Sequence, residues 1–169
     1  MTKRRGLAWP AAFTLVFVLF IGPGPVLVVV PGFLAGWEVH DTLFGLEPIR
    51  WLGGALFVAG APLLAESVIR FVRKGRGTPA PVLPPKRLVV TGLYLYVRNP
   101  MYVGILSMLL GEGLFLGSTA NLTYAVALAF VFHLFVVLYE EPHLRKVFGP
   151  EYEEYCRRVR RWVPRLRSD

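Results

Sequence analysis

Four long apolar segments alternate with short polar stretches along the chain. They run from about Ala11 to Leu34, Ile49 to Val72, Met101 to Leu116 and Leu122 to Tyr139. Segments of roughly 17–25 apolar residues can cross the hydrocarbon core of a bilayer as helices. The pattern therefore predicts an all-α integral membrane bundle of about four transmembrane helices. Pro23, Pro25 and Pro31 fall within the first segment, so we expect that helix to be kinked or partly broken.

The basic residues orient these segments. They gather before the first segment, between the second and third, and after the fourth, whereas the loop between the first two segments contains only Arg50. Lys and Arg accumulate on the cytoplasmic side of membrane proteins. Both termini are therefore predicted to be cytoplasmic, in a multi-pass protein that would lie in the inner membrane if the chain is bacterial. The predicted single domain, 1–169, divides into two N-terminal helices (1–73), a cytoplasmic loop (74–100), a helical hairpin (101–139) and a cytoplasmic tail (140–169).

Composition and charge exclude some kinds of binding partner. The 169 residues are 54% hydrophobic and carry a formal net charge of +8. A nucleic-acid-binding protein would need a soluble body to present this charge, and the apolar segments leave none. No nucleic-acid partner is therefore expected. The single cysteine, Cys156, excludes an internal disulfide and a cysteine-based zinc site, and we expect it on an exposed helix.

Two polar motifs flank the predicted hairpin. Arg98, Asn99 and Tyr102 lie just before or at the start of the third segment, and Glu140 and Glu141 follow the fourth. Five residues, 117–121, join the two segments, so the helices are predicted to be antiparallel neighbours. The two motifs should then meet at the cytoplasmic surface. Polar groups are costly beside a bilayer, and such a concentration indicates a functional site.

Each motif also has a structural interpretation. Asn99 and Pro100 suit the cap and first turn of a helix, and Arg98 could extend toward lipid headgroups. Glu140 and Glu141 would end a helix, where the dipole disfavours carboxylates. They therefore require a cationic partner, either a side chain or a ligand.

Three further polar residues lie within the apolar segments. Glu66 and Arg70 are four residues apart and are expected to form a structural ion pair. Glu112 indicates either a tilted helix or a polar cavity. His133 shares a helical face with Glu140, a placement more typical of a hydrogen-bonded bundle histidine than of a catalytic base.

The tail contains its own periodic pattern. After Pro150, the residues Tyr152, Tyr155, Val159 and Trp162 recur at three- and four-residue steps among arginines. This pattern predicts an amphipathic helix on the anionic cytoplasmic leaflet. The same helix could also close over the polar motifs as a lid.

Together, the motifs resemble the isoprenylcysteine carboxyl methyltransferase family and its phospholipid-methyltransferase relatives. The resemblance covers roughly residues 86–164. The residues that carry it are Thr91-Gly92-x-Tyr94-x-x-x-Arg98-Asn99-Pro100-x-Tyr102-x-Gly104 and Glu140-Glu141-x-x-Leu144-x-x-x-Phe148-Gly149-x-x-Tyr152-x-x-Tyr155.

The resemblance implies a membrane methyltransferase that uses S-adenosylmethionine and a lipophilic small-molecule or lipid acceptor. It implies Arg98 and Glu141 as catalytic residues and no metal. Glu140 can pair with the positive charge of a sulfonium cofactor. The cofactor-binding residues that the resemblance implies are Lys86, Arg87, Leu88, Val89, Tyr94, Asn99, Pro100, Met101, Tyr102 and Glu140.

Two departures from the family pattern affect the expected substrate. Asn99 stands where the family more often has histidine, which removes a titratable group. Val136 replaces the arginine that holds the substrate carboxylate in the eukaryotic enzymes, so a lipid amine, hydroxyl or thiol becomes at least as suitable as a prenylcysteine carboxylate. Two other classes remain open, an NADPH-dependent reductase of the sterol-reductase type and a non-enzymatic membrane scaffold.

Overall fold

The computed structural model describes residues 22–70 and 88–164, and these residues form helices and no β-strand. The predicted all-α class is confirmed for this part of the chain. Two short one-turn helices, Leu43–Gly45 and Gly92–Leu95, lie in the connections. The longer helices are α1 (Val30–Ala35, preceded by a π-helical turn, Pro25–Val29), α2 (Glu47–Arg70), α3 (Pro100–Leu116), α4 (Thr119–Phe135), α5 (Glu141–Phe148) and α6 (Pro150–Arg158).

The first apolar segment is described only from residue 22 onward. There the chain winds through the π-helical turn and continues directly into α1. Pro25 lies early in this helical stretch, where a missing N–H costs little, whereas Pro31 lies in its interior, directly after the π-helical turn. Gly36 then ends α1 in the left-handed conformation, and its N–H bonds to the carbonyl of Gly32 at 2.8 Å.

Helices α2 and α3 pack more closely than any other described pair, through facing glycines. A Cβ at Gly53 would lie 2.6 Å from the carbonyl oxygen of Gly111, and a Cβ at Gly60 would lie 2.7 Å from that of Gly104. Small residues allow helix backbones to approach in this way. We call Gly53, Gly60, Gly104 and Gly111 the glycine seam. It sets the register of the antiparallel pair. The C-terminal end of α2 therefore lies next to the residues that precede α3.

The α3/α4 hairpin turns more tightly than the predicted five residues. Gly117 and Ser118 alone separate the helices, because the Ser118 side chain accepts a hydrogen bond from the N–H of Asn121 at 3.2 Å and so caps α4. Gly117 adopts a positive φ of 70°, a conformation that favours glycine. The cap draws Asn121 into the helix, where it is fully buried.

Helix α4 does not stop at the two glutamates. It passes through a π-helical turn, Val136–Glu140, into α5, so that 119–148 forms one continuous helical stretch of 30 residues. The prediction that Glu140 and Glu141 end a helix is therefore wrong. A proline in an α-helix clashes with the carbonyl four residues earlier and donates no hydrogen bond. The wider π turn, in which Glu141 N–H bonds to Val136 O, admits Pro142 without ending the helix.

Two described helices are long and apolar enough to cross a membrane, α2 and the continuous 119–148 helix. Only 17% and 11% of their most apolar windows are buried, unlike the core helix of a soluble protein. Trp51, Val58, Phe130 and Leu138 are among the large apolar side chains that face outward. The Pro25–Ala35 and Pro100–Leu116 helices are apolar but shorter.

The tail folds back onto the protein. Helix α6 ends at Arg158, and Val159 is already extended, so the prediction of a helix continuing through Val159 and Trp162 is wrong. The tail's buried side chains, Tyr152, Tyr155 and Val159, pack against Leu88, Val90, Leu144 and Phe148. The chain beyond α6 then forms an isolated parallel bridge from Arg160 to Val97, and this backbone pairing ends the helix.

Candidate active site

The start of α3 meets the junction of α4 and α5. The Tyr102 hydroxyl donates a hydrogen bond to Glu140 Oε2 at 3.2 Å, and Arg98 Nη1 lies 3.1 Å from Glu141 Oε1. The antiparallel hairpin therefore brings together the polar residues that flank it in the sequence. We call Arg98, Asn99, Tyr102, Glu140 and Glu141 the polar cluster.

The two glutamates of the polar cluster have different surroundings. Glu141 is 3% exposed. It accepts hydrogen bonds from Arg161, from Nε to Oε1 at 2.6 Å and from Nη2 to Oε2 at 3.0 Å. Arg98 also contacts Oε1, and Arg145 lies 3.8 Å from Oε2. Glu140 forms no ion pair with any cation in the described part of the chain, and its side-chain partner there is Tyr102. Successive helical side chains point in different directions, so one carboxylate faces the arginines and the other the tyrosine.

The continuing helix also changes the dipole environment of the pair. Glu141 lies inside the continuous 119–148 helix rather than at the end of α4. The unfavourable field that a helix C-terminus exerts on a carboxylate therefore does not apply to this pair. The cationic partner expected from the sequence is present for Glu141 as side chains, chiefly Arg98 and Arg161.

A one-turn helix, Gly92–Leu95, contains Tyr94 and lies just before the polar cluster in the chain. We call it the Tyr94 turn. Burial raises the pKa of Tyr94, and the negative charges of Glu140 and Glu66 raise it further. The phenol therefore stays protonated and can donate a hydrogen bond. On the far side of the turn, the Tyr155 hydroxyl donates to the Tyr94 carbonyl at 2.8 Å.

The extended chain after α6, residues 159–162, crosses the polar cluster; we call it the C-terminal strap. The Arg98 N–H bonds to the carbonyl of Arg160 at 2.9 Å, and the Asn99 side-chain amide donates to the carbonyl of Arg161 at 3.2 Å. The hydrogen bond to Glu141 raises the pKa of Arg161, so its guanidinium remains charged. The sequence offered the tail helix as a lid, whereas the segment that lies against the polar cluster is the extended strap.

Aromatic rings border the polar cluster on the side of Glu140. The Tyr102 ring lies 4.6 Å from that of Phe132 and 6.4 Å from that of Trp162, centroid to centroid. The Trp162 indole N–H donates to Nδ1 of His133 at 3.1 Å. His133 thus has a hydrogen-bond partner, as expected, but it is exposed and the partner belongs to the tail rather than to a helix of the bundle.

The other sequence-predicted site residues have varied positions. Asn99 lies at the cap position of α3 but forms no side-chain cap, because its amide is bonded to the C-terminal strap. Pro100 is fully buried, Val89 is buried, Leu88 packs on the tail, and Met101 packs on the apolar core. Lys86 and Arg87 lie outside the described residues.

Sequence reasoning missed three contributors from the tail. Arg161 was counted only among the basic residues after the fourth segment, and Tyr155 only as part of an apolar face and of the family motif, with no role in the site. Cys156, expected on an exposed helix, is half-buried and accepts a hydrogen bond from Arg98 Nη1 at 2.8 Å. The spacing of the tail's aromatic residues identified the buried face, but no local pattern indicated which surface it would contact.

The chain is similar in sequence to one protein family and to several known proteins. The profile of the phospholipid methyltransferase family matches residues 48–151. Two similar proteins are the protein-S-isoprenylcysteine O-methyltransferase of Schizosaccharomyces pombe, 34% identical over 77 residues, and the protein-S-isoprenylcysteine O-methyltransferase B of Arabidopsis thaliana, 37% identical over 81. The nickel-cobalt-cadmium resistance protein NccN of Alcaligenes xylosoxydans is also 37% identical over 81 residues.

These similarities are partial on both sides. The aligned regions cover 46%, 46% and 47% of this chain. The chain spans only 33% of the S. pombe protein, 40% of the A. thaliana protein and 37% of NccN. No solved structure matches the chain.

Proposed function

The chain belongs to the phospholipid methyltransferase family, and we propose that it is an S-adenosylmethionine-dependent methyltransferase acting at the cytoplasmic membrane surface on a lipophilic acceptor. The observation that carries this proposal is the contrast between Glu140 and Glu141. The arginines that neutralise Glu141 leave Glu140 with a tyrosine hydroxyl as its side-chain partner among the described residues. A partly buried carboxylate in that setting favours a positively charged ligand.

The residues around Glu140 fit a sulfonium cofactor. When bound, S-adenosylmethionine supplies an electrophilic methyl group and a positive charge. Glu140 can balance that charge, and the rings of Tyr102 and Trp162 offer faces that attract cations. Tyr94 and Tyr102 provide hydroxyl donors that hold carboxylate or ligand oxygens. Methyl transfer depends on the alignment of two reactants, so a site built from several fixed side chains suits it.

Arg98 and Glu141, implied as catalytic by family resemblance, are engaged with each other. We therefore assign them the task of joining α3, α5 and the C-terminal strap, which keeps Tyr102 and Glu140 in place. Arg98 keeps a proposed catalytic role as well, because its Nε has no hydrogen-bond partner among the described residues. The proposed cofactor-binding set remains Lys86, Arg87, Leu88, Val89, Tyr94, Asn99, Pro100, Met101, Tyr102 and Glu140.

We propose that four helices span the membrane, with both termini in the cytoplasm. The outward-facing apolar side chains of α2 and α4 support this arrangement, as does the concentration of basic residues on one predicted side. The polar cluster would then lie at the cytoplasmic surface. A soluble methyl donor can reach it from water and a lipid-borne acceptor from the bilayer.

The acceptor is proposed to be lipophilic and not to depend on a carboxylate. Val136 is 1% exposed, so the position of the family's carboxylate-binding arginine is an apolar packing site here. A lipid amine, hydroxyl or thiol fits such surroundings.

Calorimetric titration of S-adenosylhomocysteine into the detergent-purified chain tests this function, with NADPH titrated in parallel. We expect micromolar binding of S-adenosylhomocysteine, whose sulfur is neutral but whose ammonium group remains, and weaker binding in Glu140→Gln, with a larger loss for S-adenosylmethionine because its sulfonium charge also loses its counter-charge. Glu154→Gln, which changes an exposed carboxylate paired with Arg157 and Arg158, is the matched control and should bind normally. Binding of NADPH alone would favour a reductase, and binding of neither ligand to a folded protein would favour a scaffold.

A further inference from the structure

The Tyr94 turn is held from two sides. On one side, the Tyr155 hydroxyl bonds to the Tyr94 carbonyl. On the other, the guanidinium of Arg70, at the end of α2, lies so close to Gly92 that a Cβ there would overlap it. Gly92 also has a φ of 61°, which L side chains rarely adopt. Gly92 therefore permits both the bend of the turn and the approach of Arg70.

Arg70 is itself fixed by Glu66, one helical turn earlier. The two side chains form an ion pair and are 31% and 34% exposed. The pair sits beyond the glycine seam, which sets where the end of α2 meets the turn. Position and orientation of the guanidinium are thus determined by tertiary packing as well as by its local partner.

The Glu66 carboxylate also acts on the Tyr94 side chain. Its charge adds to that of Glu140 in raising the pKa of the Tyr94 phenol, after the larger effect of burial. The ion pair on α2 therefore contacts the turn at one point, the backbone of Gly92 against the Arg70 guanidinium, and the charge of Glu66 contributes to the raised pKa of the phenol.

We propose that Arg70 is a positioning residue of the methyl-donor site, whose guanidinium, fixed by Glu66, packs against Gly92 and holds the Tyr94 turn so that Tyr94 keeps its place in the proposed site. This inference rests on the proposed function. It makes α2, which lies outside the sequence motifs, part of the site. If the Glu66–Arg70 pair served only to stabilise the helix end, its loss would not act through Tyr94.

A double-mutant cycle separates these two roles. Calorimetry with S-adenosylhomocysteine compares the full chain, Arg70→Gln, Tyr94→Phe and the double variant. We expect Arg70→Gln to weaken binding about tenfold in the original chain but less than about twofold in the Tyr94→Phe background, because coupled residues are not additive. Equal effects in both backgrounds would overturn the inference.

Two further variants sharpen the cycle. Arg70→Lys keeps the charge but lacks the planar guanidinium that covers Gly92, so it should recover only part of the affinity. Arg50→Gln changes the arginine at the opposite end of α2, where it donates to the carbonyls of His40 and Phe115 and pairs with Glu47. It should leave the affinity unchanged, since it lies far from the Tyr94 turn.

Amide hydrogen exchange of the ligand-free protein gives a second readout that does not depend on the proposed function. The N–H groups of Tyr96 and Val97 bond to the carbonyl of Leu93 at 3.0 and 3.1 Å. We expect Arg70→Gln to accelerate exchange across 92–97 by about tenfold, through local opening, and Arg50→Gln to leave it unchanged. Unaltered exchange in Arg70→Gln contradicts the positioning role. Failure of the original chain to bind S-adenosylhomocysteine, with exchange still accelerated, contradicts the proposed function alone.

Discussion

The α3/α4 hairpin buries a carboxyl group at each end, and the two ends accommodate it differently. Glu141, at the polar cluster, is 3% exposed and Glu112, near the Gly117–Ser118 turn, is 6% exposed. Glu141 lies among Arg98, Arg145 and Arg161, whereas Glu112 forms no ion pair within the described residues and accepts a hydrogen bond from the Asn121 amide at 3.1 Å.

The two ends differ in the groups that replace the water around each buried carboxyl group. A buried charge is tolerated only with partners that replace its hydration. The polar-cluster end provides several guanidinium groups, which also tie the tail to the hairpin. At the turn end, Glu112 Oε2 and Asn121 Oδ1 both lack a hydrogen-bond donor among the described residues. Replacing each carboxylate by its neutral amide should therefore have a large effect on stability at Glu141 and a small one at Glu112.

Glu141→Gln should have the largest effect on stability. Arg98 and Arg161 would lose their buried counter-charge, and breaking such a pair costs about 3 kcal/mol. Chemical unfolding in mixed detergent micelles, followed by circular dichroism, measures the free energy of unfolding. Glu154→Gln, an exposed acid with two arginine partners, is the control and should unfold like the original chain. A Glu141→Gln variant of unchanged stability would show that the arginine contacts are not stabilising.

Gly60→Ala should rank second, because it disturbs the seam that links both ends. The new Cβ would lie 2.7 Å from Gly104 O and from Met108 Cγ, and overpacking of this kind costs about 1–3 kcal/mol. Gly54→Ala on the same helix meets only the Phe115 ring, at 3.6 Å. It should be neutral or slightly stabilising, because alanine favours helix over glycine by about 1 kcal/mol. Equal melting temperatures for the two variants would contradict the close packing of α2 on α3.

Arg161→Lys should have a smaller effect at the polar cluster. Lysine keeps the charge but cannot contact both oxygens of Glu141 as Arg161 does at 2.6 and 3.0 Å. We expect a loss of about 1 kcal/mol, the scale of one charge-assisted hydrogen bond at a partly exposed site. Arg157→Lys, on an exposed arginine of α6, provides the reference. A loss as large as that of Glu141→Gln would mean that Arg161 geometry, rather than charge, dominates the cluster.

Glu112→Gln should have the smallest effect, in contrast to the same substitution at Glu141. The glutamine amide can donate to Asn121 Oδ1 and still accept from its Nδ2, so both buried acceptors gain or keep a partner. The free energy of unfolding should stay within about 1 kcal/mol of that of the original chain or rise. Asn121→Leu, which leaves the Glu112 carboxyl without its amide, should be destabilising in the same assay. A marked loss in Glu112→Gln would imply that the carboxylate has a cationic partner.

Local sequence patterns predicted the helices well and their ends less well. Apolar length identified the segments that became α2, α3 and α4, because a helix is visible as a run of suitable residues. The Glu140–Glu141 step looked like a helix end, since polar residues usually close an apolar run. It proved to be the centre of a longer helix, because the π turn before Pro142 absorbs the proline.

Some contacts of the candidate site could likewise be predicted from the sequence and others could not. Antiparallel hairpin geometry was enough to predict that Arg98 and Tyr102 approach Glu141 and Glu140. It could not predict which glutamate receives the arginines, because that depends on where the C-terminal strap crosses. Nor could it bring Arg70 to Gly92, since that contact is set by the glycine seam between α2 and α3.

By itself, then, the sequence determined the helical class, the apolar segments and the residue types of the polar cluster, all of which follow from local composition and spacing. Tertiary structure alone decided that Glu140 lies beside Tyr102 while Glu141 lies among arginines, and that the tail's aromatic face packs inward. The physical reason is that a side chain's partners are drawn from distant parts of the chain. Their identity is decided by packing between helices rather than by the periodicity within one.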